Sequence, residues 1–130
     1  MTRLPRPERF ILVDDNEADN VFHEIMIRRA GFTGDVLIFD NGVDALDFMR
    51  QDQLRLPTCI FLDINMPMLD GFEVATQAAP LLEGRDTVVL VMLTSSGSPQ
   101  DRERAAQIPV ISGYVTKPLA AALVRDMLAA

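Results

Sequence analysis

Cysteine occurs once in this chain of 130 residues, at Cys59, which excludes a disulfide framework and a thiolate metal cluster. Cys59 lies inside an apolar stretch, where a thiol serves as a small buried hydrophobe. Long hydrophobic runs are also missing. None approaches the roughly 18 residues of a membrane-spanning helix, and the N-terminus lacks the apolar core of a secretory signal. Positive charge is scarce: 12 Lys and Arg stand against 19 Asp and Glu, for a net charge of -7. A direct nucleic-acid partner needs a basic footprint and is therefore not expected. There is no internal repeat and no linker. The expectation is one domain in a reduced cytoplasm, with 48% hydrophobic residues to supply its core.

What is present is a regular alternation. Residues 1–8 carry two Pro and two Arg without periodicity and are expected to be a flexible arm ahead of a domain over 9–130. Continuous apolar runs follow at 10–13, 36–39 and 59–62 and suit buried strands; the Val-rich stretch 87–93 reads as a fourth strand and 113–116 as a brief fifth. Helical patterns separate them. Asn16 is placed to cap the first helix, in which Val21, Phe22, Ile25 and Met26 recur at helical spacing and Gly31 is the stop. Val43, Leu46 and Met49 form one face of the second helix. The third starts after Gly71 and is interrupted or kinked by Pro80. Pro99 opens a short charged fourth helix, and Leu119, Leu123, Val124 and Met127 mark the last. Five β-α units predict an α/β fold with a parallel sheet and helices on both faces.

Right-handed crossovers bring all strand C-terminal ends to one edge of the sheet. That edge would carry Asp14, Asp15, Asp63, Thr94 and Lys117. Each has an ordinary explanation alone: a strand-end Asp caps a helix, a Thr forms a turn, a Lys is a solvated charge. Together they suit phosphoryl transfer. A carboxylate can attack phosphorus to form an aspartyl-phosphate. Paired carboxylates repel unless a cation lies between them, and hard oxygen ligands favour Mg²⁺. A fixed ammonium and a hydroxyl can neutralise phosphoryl oxygens.

In its motifs ILVDDN (11–16), FDNGVDAL (39–46), FLDINMPMLDG (61–71), MLTSS (92–96) and GYVTKP (113–118), the chain resembles the receiver domains of two-component response regulators. The resemblance covers essentially everything from Arg9 onward. It implies the flavodoxin-like receiver fold, with strand order 2-1-3-4-5. It implies that Asp63 accepts a phosphoryl group from a sensor histidine kinase or phosphotransfer protein. Mg²⁺ would be bound by Asp15, Asp63 and the Asn65 backbone carbonyl, with Asp14 helping largely through water. Lys117 would contact the phosphoryl group across a cis Lys117-Pro118 bond. Thr94 and Tyr114 would form a switch pair, read out on the face made by the fourth helix, fifth strand and fifth helix.

Pro80 and the apolar joint Ile108-Pro109-Val110-Ile111 depart from the family pattern. The last helix is expected to run to Ala130, and if the chain is complete there, output is expected through a downstream protein whose identity is open. The stripe of that helix suits a homodimer as well as it suits the core. A phosphatase using the same aspartyl chemistry is disfavoured, because the second residue after Asp63 is Asn65 rather than an acid. The chain is therefore expected to be no enzyme beyond its own Mg²⁺-dependent phosphorylation and dephosphorylation. The remaining alternative is a receiver-like binding module that works without phosphorylation.

Overall fold

The structure, a computed structural model, describes residues 6–129; residues 1–5 of the expected arm, and Ala130, lie outside the described residues. Within that arm Pro7 is buried, and the Glu8 N–H donates to the Pro57 carbonyl at 2.8 Å. Five strands and five helices alternate: β1 (Arg9–Val13), α1 (Glu17–Arg29), β2 (Asp35–Phe39), α2 (Gly42–Asp52), β3 (Thr58–Leu62), α3 (Gly71–Leu82), β4 (Val88–Thr94), α4 (Pro99–Ala106), β5 (Ile111–Thr116) and α5 (Ala121–Leu128). All pairings are parallel, and the sheet order is β2-β1-β3-β4-β5.

The continuous apolar strands are sorted residue by residue onto two faces, because successive side chains of a strand point oppositely. Phe10, Leu12, Cys59, Phe61, Val89, Val91 and Leu93 meet Ile27 of α1 and Val124 of α5 on one side. Ile11, Val13, Ile60, Leu62, Leu90 and Met92 meet α2, α3 and Ala105 of α4 on the other. Cys59 is fully buried, and burial pushes its thiol pKa well up, so it is a packing group.

Caps set the helix starts. Asn16, Asn41, Asp70 and Ser98 each accept the N–H three residues on, and Asp70 with Glu73 forms a reciprocal capping box. Pro80 is accommodated in the last turn of α3, close to the end of the helix. It removes the N–H that would serve the Thr76 carbonyl. With Ile108, Pro109 and Val110 it lines a groove of about 720 Å³. The joint itself starts β5 earlier than expected, at Ile111, and a bulge follows: Leu90 faces Ile111 but Val91 faces Gly113. In α4 Ala105 alone is buried.

The helical stripe of α1 is turned differently from a core stripe. Val21, Phe22 and Ile25 are 52%, 41% and 43% exposed, while Asn20, His23 and Ile27 are buried. The polar pair can be buried because α1 starts beside the strand ends, where the Asn20 amide donates to the Asp14 carbonyl at 2.8 Å.

At the opposite end of the sheet Arg9 is buried, and each of its three side-chain nitrogens makes a hydrogen bond. Its two terminal nitrogens donate to both oxygens of Asp52 at 3.1 and 2.7 Å, and its Nε donates to Thr58 Oγ1 at 3.1 Å. This fork ties the end of α2 to the starts of β1 and β3. The bond from Arg9 holds the Asp52 carboxyl below its ordinary pKa of 3.8. A lowered folded pKa means that Asp52 adds stability above the unfolded value and loses it as pH falls through the folded one. Asp52→Asn is expected to cost about 1–2 kcal/mol at pH 7, less than a fully buried pair because Asp52 is partly exposed. Urea unfolding at several pH values should show that cost shrinking below about pH 3.8.

Candidate functional site

The strand ends deliver the expected residues to one place. β1 runs directly into Asp14 and Asp15, β3 into Asp63, β4 ends on Thr94, and Lys117 follows β5. Asp14, Asp63 and Thr94 are buried, and Asp15 is exposed. One carboxylate oxygen from each of Asp14, Asp15 and Asp63 lies within 4.8 Å of the others. Three such hard donors fit a small divalent cation of the Mg²⁺ type. Asn65 sits exposed in the loop two residues after Asp63.

Close backbone packing fixes this loop. The Asp63 N–H donates to the Val13 carbonyl at 2.9 Å, and the Gly71 N–H donates to the Ile64 carbonyl at 2.8 Å. A Cβ at Gly71 would collide with the Asp63 carbonyl oxygen, so glycine is required where α3 begins. The loop between them carries Met68 at φ 72° with its side chain 86% exposed.

Lys117 is the cation of the site. Its Nζ donates to Asp14 Oδ2 at 2.6 Å and to Asp19 Oδ2 at 2.8 Å, and lies 3.5 Å from Asp63 Oδ2. Burial pulls its pKa down, but the bonds to Asp14 and Asp19 and the charges of Asp63 and Asp14 outweigh burial and hold it above the ordinary value. The Lys117-Pro118 peptide is cis. The Lys117 N–H donates to the Thr94 carbonyl at 2.8 Å, which locks the end of β5 to β4. Both oxygens of Asp14 accept bonds, since Oδ1 takes the Asn16 N–H at 2.9 Å.

Burial raises the Asp63 pKa above the usual carboxylate value and Asp14 adds to the rise; Lys117, the Ile64 N–H and the Thr94 hydroxyl oppose it. Thr94 Oγ1 in turn accepts the Ser96 N–H at 3.2 Å, and the Ser96 carbonyl accepts the Tyr114 hydroxyl at 2.8 Å. The Arg102 guanidinium lies over the Tyr114 ring at 4.6 Å and donates to Thr116 Oγ1 at 2.9 Å. The motif residues therefore converge, Ser96 of the MLTSS motif among them, and two residues outside the motifs, Asp19 and Arg102, join them. Asp19 reads in sequence only as a first-turn helix acid, and its spacing of four from Asp15 is the sole hint of its place. Ser96 reads in sequence as a residue bordering the site, without its link to Tyr114, and Arg102 gives no signal at all.

The whole pattern has parallels in known proteins. The family model for the response regulator receiver domain matches residues 10–129. The chain is 35% identical over 116 residues to a probable methanogenesis regulatory protein, FilR2, of Methanothrix harundinacea, covering 87% of this chain and 74% of that protein. A response regulator receiver protein from Dyadobacter fermentans superposes with a TM-score of 0.81 at 33% identity, over 92% of this chain and 94% of that one. A two component response regulator from Cytophaga hutchinsonii gives a TM-score of 0.83 at 24% identity, over 94% of each chain. Other relatives are longer, and the chain spans 46% or less of their length.

An acid whose folded pKa is raised destabilises the fold above that pKa, and the penalty vanishes as pH falls below the unfolded value. Asp63→Asn is therefore expected to raise the urea midpoint at pH 7 in the absence of divalent ions. The gain should fade towards pH 3.8, the ordinary carboxylate value. Measuring both proteins with Mg²⁺ added should narrow the difference from the wild-type side.

Proposed function

The chain belongs to the response regulator receiver domain family, and we propose that it works as a phosphorylatable signalling receiver, taking a phosphoryl group on Asp63 from a histidine kinase or a phosphotransfer protein. The observation that carries this reading is a buried Asp63 carboxylate at a strand tip, flanked by two further carboxylates and faced by the Lys117 ammonium at 3.5 Å. Among the described residues no helix is long and apolar enough to cross a membrane.

Asp63 Oδ1 is engaged by the Ile64 N–H at 2.9 Å, which leaves Oδ2 as the attacking atom. Oδ2 forms a bond to phosphorus, the P–N bond of a phosphohistidine donor breaks, and the released imidazole nitrogen keeps the electron pair and takes up a proton. Lys117 then meets a phosphoryl oxygen, and the Thr94 hydroxyl donates to another. Asp14, Asp15, Asp63 and the Asn65 carbonyl would hold Mg²⁺, which when bound neutralises phosphoryl charge. The shallow hollow that begins at Asp15 of the acidic cluster and runs along Val21, Phe22 and Ile25 is a surface on which the donor could rest.

Thr94 and Tyr114 act as the switch through Ser96. The Ser96 N–H is held by Thr94 and the Ser96 carbonyl holds the Tyr114 hydroxyl. Drawing Thr94 towards a phosphoryl group would release the first bond and disturb the second. The readout is a population shift on the α4-β5-α5 face, where a downstream protein binds. A binding module indifferent to phosphorylation is the other reading of the same fold.

Intact-mass spectrometry after incubation with acetyl phosphate separates the two. The expected result is a Mg²⁺-dependent gain of one phosphoryl group by the wild type and none by Asp63→Ala. If neither acetyl phosphate nor a phosphohistidine donor protein labels the wild type, the binding-module reading replaces this one.

A further inference from the structure

Lys117 has three N–H donors, and the site takes them up unequally. Asp14 and Asp19 accept at 2.6 and 2.8 Å, whereas Asp63, the residue that would carry the phosphoryl group, is the most distant at 3.5 Å. Asp14 is fixed in this arrangement, buried and also bonded to the Asn16 N–H. Asp19 is not. Its side chain is 38% exposed on the first turn of α1, and its own backbone N–H already serves the cap through Asn16 at 3.0 Å. Neither cap nor core requires the carboxylate to reach across the site to a lysine 98 residues away.

We propose that Asp19 is a positioning residue that draws the Lys117 ammonium towards α1 and away from Asp63, so that a phosphoryl group on Asp63 competes with Asp19 for it. The inference rests on the phosphoryl-accepting reading above. Asp19 is the partner suited to exchange, because an exposed carboxylate released by Lys117 is resolvated by water, while a released Asp14 would be left buried. The strength of the Asp19 pair then sets how tightly the site holds a phosphoryl group.

The test measures beryllofluoride affinity by calorimetry at saturating Mg²⁺. Asp19→Asn is expected to bind about fivefold more tightly than wild type, the scale of one partly exposed ion pair. Glu17→Gln removes the same charge from the same exposed turn without an ion pair to Lys117 and is expected to stay within about twofold. In a Lys117→Met background the Asp19→Asn gain should disappear. Equal effects of the Asn and Gln variants, weaker or unchanged binding in Asp19→Asn, or a gain that survives Lys117→Met would each overturn the proposal. A crystal structure of metal-free Asp19→Asn supplies a readout independent of phosphoryl chemistry: Lys117 Nζ should close on Asp63 Oδ2 from 3.5 Å to hydrogen-bonding distance. If the wild type binds no beryllofluoride, the phosphoryl reading fails, and an unchanged separation in that crystal overturns the positioning role as well.

Discussion

One ammonium holds together a corner of the molecule that would otherwise repel itself. Asp14, Asp15 and Asp63 converge from two strands, and Asp19 joins them from α1. Carboxylates at such separations disfavour each other's ionised forms. Lys117 arrives from the far edge of the sheet and bonds two of them while facing a third. Its backbone is itself pinned to Thr94 of β4. The order of the sheet therefore matters to the chemistry: β5 is two strands from β3, and only the turn after Thr116 carries the cation back over the strand tips. A site assembled this way has its charge balance spread over three stretches distant in sequence, residues 14–19, Asp63 and Lys117.

The backbone around Asp63 is built with equal economy. Its N–H is tied to β1, its carbonyl is packed against Gly71, and the Ile64 carbonyl receives the Gly71 N–H. The carboxylate is consequently presented by main chain that has little freedom to shift. The Arg9 fork does a comparable job at the opposite end, joining α2 to the starts of β1 and β3. Between these two polar anchors β1 and β3 are wholly apolar, so side-chain hydrogen bonds tie each strand only at its ends, with packing and the backbone ladder along its length.

Much of this was legible in the residues. Continuous apolar runs located β1, β3 and β4, and Asn16, Gly71 and Pro99 marked helix starts because capping and backbone conformation are local effects. The motif residues predicted for one edge do meet there. What escaped was what depends on neighbours distant in sequence. The stripe of α1 has the period of a helix, but period cannot say which face is covered, and Asn20 and His23 occupy the buried side. Asp19 looked like any first-turn acid until Lys117 was in place beside it. β5 begins earlier than its sequence suggested because Ile111 pairs with Leu90, and the bulge after it is a property of two strands together.

Helix α4 has a consequence for how the domain breathes. It is eight residues long, buries a single alanine, and is held from outside by Arg102 over Tyr114 and Arg104 over Phe72. Contacts of that kind contribute only about 0.5–2 kcal/mol each. With so little buried, its amides are expected to open at a lower free energy than the sheet and to lose hydrogen-exchange protection before those of β1, β3 or β4. A disturbance that starts at Thr94 and Ser96 can be absorbed there as local fraying, with the packed strands left as a stationary frame.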